Sequence, residues 1–193
     1  MSGTLRLFFA ASVPLELLES LQERLAHLRS AFPQARWTAP ANQHLTLKFL
    51  GATPEDRLED VLITGADVAR GKRGAAVWLS GLGAFPNARR ARVLWLGVED
   101  PAGVLTGLAK GLSDALEALG FAAEARAFTP HLTLARFKSP VKLPSELGPG
   151  GAGLAPFEVS EVGLWRSHLS PKGARYELLE SLRLGRVDSG PRG

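Results

Sequence analysis

Two histidines in this chain stand in identical surroundings. His44 and His131 each open the tetrapeptide His-Leu-Thr-Leu, so a threonine follows each histidine at the same spacing. Side chains alternate between the two faces of a β-strand, which places each histidine and its threonine on one face and the two leucines on the other. The leucine face is expected to be buried, and the His/Thr face then points into a cleft. The same alternation predicts Lys48 on the face of His44 and Phe49 on the leucine face.

Two histidines that face one cleft suit the hydrolysis of a phosphodiester without a metal ion. Histidine has an unperturbed pKa of about 6.5, so one imidazole can accept a proton near neutral pH while the other donates one. The hydroxyls of Thr46 and Thr133 can donate hydrogen bonds to phosphate oxygens, and a nearby cation can balance the charge that builds on phosphorus. Arg136 would point into the cleft only if a bulge interrupted its strand.

A single histidine on a strand is more often structural than catalytic, but duplication of both His and Thr favours a functional site. The other two histidines have no duplicate. His27 follows Leu25 by two residues on a predicted helix and is expected to be solvated. His168 is predicted to lie in a Ser-His-Leu-Ser turn without a partner. We therefore leave both outside the candidate site.

The duplication extends well beyond the two motifs. An offset of 87 residues aligns residues 5–49 with residues 92–136 and places Pro14 on Pro101. It also aligns apolar positions spaced as on one helical face, namely Leu17, Leu18, Leu21, Leu25 and Leu28 with Val104, Leu105, Leu108, Leu112 and Ala115. Each copy predicts a strand, a helix that begins at its proline, and a second strand. We expect an α+β fold with two pseudo-two-fold-related lobes, facing antiparallel sheets and helices outside.

Local signals predict further elements. Strands are expected at residues 5–10, 92–98, 76–82, 157–165 and 175–184. Asp100 is predicted to cap the second helix, and Gly120 is predicted to end it. Another helix is expected to begin at Thr53, with Pro54 at its first position and Asp56 completing a capping box. Residues 148–156, rich in glycine and proline, are expected to form a mobile surface loop.

Composition narrows the class of protein. The chain has 193 residues, of which 45% are hydrophobic and 22% charged, as in an ordinary globular domain. It contains no cysteine, which excludes disulfides, thiolate nucleophiles and cysteine-ligated zinc. The net charge of +4 suits an anionic partner but is also common in proteins that bind no nucleic acid.

The organisation predicted from these features is simple. We expect residues 1–186 to form one bilobal domain and residues 187–193 to form a flexible tail. The first ten residues lack the apolar run of a signal peptide, and no stretch approaches the roughly 20 apolar residues that span a bilayer. A cytoplasmic location is therefore expected, with no membrane association and no obligate protein partner.

The doubled motif resembles the signature of the two-histidine phosphoesterases, His-hydrophobic-Thr-hydrophobic. Other stretches are similar to the bacterial and archaeal RNA 2′,3′-cyclic phosphodiesterases, also called 2′-5′ RNA ligases. These stretches are residues 5–10, 37–40, 44–51, 83–86, 92–97 and 128–136, together with Asn42. The resemblance covers about residues 5–185, which is nearly the whole chain.

The resemblance implies hydrolysis of a 2′,3′-cyclic phosphate at an RNA end to a 2′-phosphomonoester, without a metal or another cofactor. Weak 2′-5′ ligation is implied as the reverse reaction. His44 would be the proton donor to the leaving 3′ oxygen, and His131 the acceptor that activates water. Thr46 and Thr133 would bind phosphate oxygens, assisted by Arg136. From the residues alone, the near-symmetry of the motifs does not distinguish donor from acceptor.

Three alternatives stay open at this point. A related enzyme would act on small cyclic nucleotides or cyclic ADP-ribose phosphates, because base recognition lies in loops that the sequence does not define. A non-catalytic module that binds RNA ends is weakly supported, since aromatic residues make up only 7% of the chain. A metal site would need more ligands than the one histidine that each motif supplies.

Overall fold

The computed structural model describes residues 3–124, 126–144, 147, 150–170 and 173–185. The strands are β1 (Thr4–Ser12), β2 (Arg36–Trp37), β3 (His44–Pro54), β4 (Ala75–Phe85), β5 (Ala91–Glu99), β6 (His131–Val141), β7 (Phe157–Val159), β8 (Glu161–Ser170) and β9 (Gly173–Arg183). The helices are α1 (Leu15–Arg24), α2 (Ala26–Ala31), α3 (Leu58–Arg70) and α4 (Val104–Glu117). Short 3₁₀ segments occupy Pro40–Asn42, Glu55–Arg57 and Ala88–Arg90.

The strands form two antiparallel sheets, which confirms the predicted α+β class and its duplicated lobes. One sheet has the order β3-β1-β8-β9, and the other has the order β2-β6-β5-β4-β7. The motif strands β3 and β6 contact each other where the sheets meet. Strand β2 comes from the first half of the chain but pairs with β6 of the second half. The two lobes are therefore joined by strand pairing as well as by side-chain packing.

Helices lie outside the sheets and supply much of the core. In α4 the buried residues Leu105, Leu108, Leu112 and Leu116 recur every three or four positions, as on an amphipathic helix. Helix α3 packs against α4 and β9, and α4 also packs against β3. Burial of these leucines helps to fix the position of α4 against β3, the strand that carries the first motif.

The starts of two predicted helices need correction. Helix α4 begins at Val104 rather than at Pro101, because Gly103 precedes it in a left-handed conformation with φ +68°. Asp100 nevertheless accepts a hydrogen bond from the backbone N–H of Thr106 at 2.9 Å, so the predicted N-terminal acceptor is present. Gly120, at φ +84°, follows the end of α4 as predicted. In the first half, Pro14 precedes α1 instead of occupying its first position.

Two further helix predictions are wrong in their boundaries. The first helix is not continuous, since α1 and α2 are separated at Leu25, whose φ and ψ are −91° and 1°. The predicted capping box does not form, because Thr53 and Pro54 belong to β3 and Thr53 is fully buried opposite Leu5. Strand pairing with β1 thus takes precedence over a local cap, and α3 begins only at Leu58.

The predicted strands are present, with one division. Residues 157–165 contain two strands, because β7 ends at Val159 and β8 begins at Glu161. The predicted surface loop is wrong in part, since Gly150 and Gly151 are buried against β4 and the Gly151 N–H donates to the Ser80 carbonyl at 2.9 Å. Residues 148–149 and the predicted tail at residues 187–193 lie outside the described residues.

A β-bulge interrupts each motif strand at the same place. In the first sheet Ala10 pairs with Thr46 and Phe9 with Lys48, so the ladder skips Leu47. The second sheet pairs Trp95 with Thr133 and Leu94 with Ala135, and it skips Leu134. A bulge adds one residue to one strand and reverses the alternation that follows it.

The bulges change which side chains enter the cleft. Lys48 is buried and Phe49 is 53% exposed, so both predictions from regular alternation are wrong. Arg136 follows the second bulge and is exposed, while Ala135 before it is fully buried. The bulge that Arg136 requires in order to point into the cleft is therefore present, and its side chain lies on the cleft side.

The strand ladders also reveal a two-residue difference between the halves. The motif strands are 87 residues apart, but the partners of their histidines, Ser12 and Gly97, are 85 residues apart. The ungapped alignment of β1 with β5 is therefore displaced by two residues in the structure. Side chains alternate with a period of two, so this displacement keeps every residue on its original face.

Candidate active site

A cleft of about 710 Å³ opens where the two sheets face each other. All the residues predicted for the site line it, namely His44, Thr46, His131, Thr133 and Arg136. Beyond the motifs, the cleft is bounded by one side of α4 and by the segment that precedes β6, including Lys110, Ser113, Glu124, Arg126 and Phe128. The fold thus brings the two duplicated motifs into one concave site.

Each histidine is oriented by the backbone two residues before it. The Nδ1 atom of His131 lies 2.7 Å from the carbonyl oxygen of Thr129. A carbonyl can only accept, so Nδ1 carries the hydrogen and Nε2 of the neutral ring keeps its lone pair. His44 makes a corresponding hydrogen bond with the backbone of Asn42. The duplicated chain therefore repeats the orienting contact as well as the histidine.

Aromatic rings enclose His44 on several sides. Phe8 stacks on the imidazole with ring centroids 4.8 Å apart. Tyr176 meets it edge-on at 5.0 Å, and Trp165 lies parallel at 6.5 Å. These contacts fix the plane of the ring and remove water from it.

His131 has a more open aromatic environment. Phe85 meets its ring edge-on at 5.1 Å, and the Trp95 ring lies 6.0 Å away. Trp95 itself packs over Gly83, where any added Cβ would overlap the indole. Glycine at this position is thus required for the ring to reach His131.

Burial lowers the pKa of both imidazoles. For His44 the pKa falls to about 4, mainly through desolvation, with the Asn42 hydrogen bond opposing the shift and the charges of Arg136 and His131 adding to it. Desolvation also lowers the pKa of His131, opposed by the Thr129 hydrogen bond and reinforced by Arg136. Since a bound anion favours the protonated form of a neighbouring base, a phosphate in the cleft would raise both values.

The two halves of the site differ at one pair of equivalent positions. Phe49 and Arg136 each follow a bulge, and both line the cleft. The His131 side therefore carries a guanidinium and the His44 side an exposed aromatic ring. This difference breaks the two-fold symmetry of the site.

Sequence reasoning missed several residues of the cleft and the true place of Lys48. Its ammonium group donates to the Ala122 carbonyl at 2.6 Å and to the Ser113 hydroxyl at 3.3 Å, and it lies 3.9 Å from Glu124. Lys48 thus ties β3 to the segment that leads into the second motif. The cleft residues Phe49 and Phe85 lie in stretches that resemble the family but were not predicted for the site, and Tyr176 lies in a predicted strand without a motif.

The two histidines set aside in the sequence lie outside the lining of the cleft. His27 is exposed on α2, as predicted. The prediction for His168 is wrong, because it lies in β8 and its Nε2 is 2.6 Å from the Glu177 carboxylate on β9. The polar run around His168 suggested a turn, whereas pairing of β8 with β9 keeps it in a strand.

Within the described ranges, no group of three or more His, Cys, Asp or Glu side chains is placed to hold a metal ion. In the same part of the chain, no helix is both long and apolar enough to cross a membrane.

Paired His-x-Thr strands that face each other across the cleft of a duplicated α+β fold define a two-histidine phosphoesterase. The chain belongs to the LigT-like phosphoesterase family, whose model matches residues 13–95 and again residues 96–176. The two matches correspond to the two halves of the molecule. The resemblance stated from the motifs is thereby confirmed.

Named relatives and solved structures agree with this assignment. The RNA 2′,3′-cyclic phosphodiesterase of Methanothermobacter thermautotrophicus is 36% identical over 182 residues, which is 90% of this chain and 98% of the relative. The RNA 2′,3′-cyclic phosphodiesterase of Thermus thermophilus is 37% identical over 188 residues, which is 93% of this chain and 90% of the relative. A crystal structure of a Thermus thermophilus protein superposes with a TM-score of 0.80 at 35% identity, covering 93% of this chain and 98% of that one. The crystal structure of E. coli LigT complexed with 3′-AMP superposes with a TM-score of 0.77 at 28% identity, covering 94% of this chain and 99% of that one.

Proposed function

We propose that this chain hydrolyses 2′,3′-cyclic phosphates at RNA ends to 2′-phosphomonoesters, using His44 and His131 as general acid and base. The observation that carries the proposal is the convergence of two oriented imidazoles, two threonine hydroxyls and one guanidinium in a single cleft. The relatives named RNA 2′,3′-cyclic phosphodiesterase support the choice of substrate. The cytoplasmic location and the domain limits at residues 1–186 stay predictions.

In the proposed reaction His131 activates water. Its Nε2 lone pair, left free by the Nδ1–H contact with Thr129, takes a proton as the water oxygen attacks phosphorus. The P–O3′ bond breaks, and protonated His44 gives its proton to the departing 3′ oxygen. A 2′-phosphomonoester and a 3′-hydroxyl result, with His131 protonated and His44 neutral, and exchange with solvent restores the starting states.

The remaining side chains stabilise charge. Hydroxyls of Thr46 and Thr133 donate to the two non-bridging oxygens, and Arg136 offsets the negative charge that grows on them. General acid and base catalysis supplies about 10²- to 10⁴-fold per group, so positioning and charge stabilisation must supply the rest. An RNA 5′-hydroxyl in place of water would give a 2′-5′ linkage by the same steps, in competition with bulk water.

Two features support His44 as the donor. A group whose pKa is lowered to about 4 is a strong acid once protonated, and the anionic substrate promotes its protonation. The cation Arg136 also lies on the His131 side of the site, as its position in the same strand shows.

A substrate with sulfur in place of the 3′ oxygen tests this assignment, because a thiolate leaves without a proton. His44→Ala and His131→Ala should each abolish turnover of the ordinary cyclic phosphate. With the 3′-thio substrate, His44→Ala should regain most of its rate and His131→Ala should not. Rescue of the His131 variant alone would reverse the two roles.

The substrate itself is tested by product analysis in the presence of EDTA. Phosphorus NMR should show conversion of a cyclic-ended RNA to the 2′-phosphate isomer only. A panel that includes cyclic mononucleotides and a cyclic ADP-ribose phosphate separates the alternative substrates. Wild-type rates in both histidine variants, or loss of activity on chelation, would contradict the proposal.

A further inference from the structure

The short strand β2 places a second arginine next to the site. Arg36 lies directly opposite Arg136 in the antiparallel pair of β2 and β6. Side chains of directly paired residues share a face, with Cβ atoms about 5 Å apart, and like charges in this arrangement repel. Within the described part of the chain, neither arginine takes part in a salt bridge. The pair of cations therefore lacks an anion that the described chain supplies.

Arg36 also reaches from one sheet to the other. Its Nη2 atom lies 2.8 Å from the position that a Cβ on Gly173 would take, and Gly173 begins β9 of the opposite sheet. A hydrogen bond of 3.0 Å from the Asn42 side chain to the Ala174 carbonyl holds the same end of β9 near the first motif. Arg36 is exposed, and its strand partner Arg136 lines the cleft, so Arg36 lies beside the cleft and in contact with solvent.

The arrangement suits a ligand with two phosphates in succession. In the proposed reaction the reacting phosphate lies between His44 and His131, beside Arg136. In an RNA chain the next phosphate is one nucleotide away, on the 5′ side of the terminal sugar. A guanidinium binds phosphate oxygens through two parallel N–H donors, which makes arginine well suited to this contact. A second phosphate also offsets the repulsion between the two opposed arginines.

We propose that Arg36 binds the phosphodiester that precedes the terminal nucleotide, so that the site prefers oligonucleotides to single nucleotides. This inference rests on the proposed function and adds to it a subsite for the next phosphate. A cyclic mononucleotide has no group to fill that subsite. The contact with Arg36 therefore affects which substrate is preferred, whereas the duplicated motifs carry out the reaction.

The test compares two substrates with the same reacting end, adenosine 2′,3′-cyclic phosphate and triadenylate ending in a 2′,3′-cyclic phosphate. The measured quantity is the ratio of kcat/KM for the trinucleotide to that for the mononucleotide. Arg36→Gln should lower this ratio about five- to tenfold, as expected for the loss of one partly solvated charged hydrogen bond. The loss should be in KM. For the trinucleotide, the slope of log kcat/KM against log salt should become shallower by about 0.7.

Two variants complete the design. Arg183→Gln removes an exposed arginine from the far end of β9 and should keep the wild-type ratio. Arg36→Lys retains the charge without the paired donors and should recover part of the ratio and most of the salt slope. Circular dichroism and thermal melts establish that each variant is folded.

The outcomes separate the two levels of the proposal. If wild type cleaves neither substrate, the proposed function fails. If wild type cleaves both and Arg36→Gln leaves the ratio unchanged, or lowers both rates equally, the subsite at Arg36 is refuted while the proposed function stands.

Discussion

Replacing His44 by Gln should remove much of the acid sensitivity of folding. Burial holds the pKa of His44 near 4 in the folded protein, against 6.5 for an ordinary imidazole. Between these values the unfolded chain binds the proton more readily than the folded one. Stability is therefore fully present above pH 6.5 and is lost as the pH falls towards 4.

The size of the effect follows from the shift. At about pH 4.5 the unfolded imidazole is almost fully protonated, while the folded one holds about a quarter of a proton. Relative to pH 7.5, this difference costs the folded state about 2.5 kcal/mol. Glutamine is neutral at both pH values and keeps a side chain of similar size, so the variant lacks this contribution.

Urea unfolding followed by tryptophan fluorescence measures the free energy of unfolding at about pH 4.5 and at about pH 7.5. The chain has 4 tryptophans as reporters. Wild type should lose about 2.5 kcal/mol more than His44→Gln on acidification. His27→Gln removes an exposed histidine on α2 and serves as the matched control, with a loss equal to that of wild type. Equal losses in wild type and His44→Gln, within roughly 0.5 kcal/mol, would show that His44 is not desolvated as the structure indicates.

Other perturbations probe the packing around the site. Gly83→Ala should displace the Trp95 ring, lower the free energy of unfolding by about 1–3 kcal/mol and reduce turnover, as thermal melts and rate assays would measure. Gly81→Ala is the control, because an added Cβ there meets nothing within 4 Å, and it should change neither stability nor turnover. Lys48→Met should lower the free energy of unfolding by about 1–3 kcal/mol in urea titrations, because it removes the charged hydrogen bonds of a buried ammonium group to the Ala122 carbonyl and the Ser113 hydroxyl. Inorganic phosphate at ten times its Kd should add about 1.4 kcal/mol of stability to wild type, and Arg136→Gln should need more phosphate for the same rise in Tm.

The duplicated motif made much of the site predictable. Strand alternation placed His44 with Thr46 and His131 with Thr133, and burial of the leucines required those faces to meet a cleft. Both inferences use only local geometry and the apolar pattern. They hold because the histidine and the threonine of each motif precede the bulge and follow regular alternation.

The residues after each bulge could not be placed in the same way. Leu47, Lys48 and Phe49 read as a regular alternating strand, and nothing in their types marks the extra residue. The partners of Lys48 lie on α4 and on the segment after it, at Ser113 and Ala122, 65 and 74 residues away in the chain. Burial of a lysine at this position depends on those distant acceptors, which only the folded structure brings near.

The predictions of a helix start at Thr53 and of a turn at His168 were wrong for a related reason. Thr53 has the local signature of a cap, yet opposite Leu5 it gains a complete strand pair and full burial. His168 has polar neighbours that favour a turn, yet the β8–β9 ladder and the Glu177 carboxylate hold it in a strand. A long-range pairing in the first case, and the pairing of two consecutive strands in the second, outweighs a local preference worth about 1 kcal/mol.

The two-residue displacement between Ser12 and Gly97 limits how the halves of this molecule can diverge. A slip of one residue between a motif strand and its neighbour would turn the neighbour's core side chains towards the cleft and its cleft side chains towards the core. A slip of two keeps both surfaces intact. Register shifts between a motif strand and its neighbour are thus tolerated in even steps and opposed in odd ones. An engineered chimaera that exchanges β1 for β5 should fold only when its junctions respect that parity.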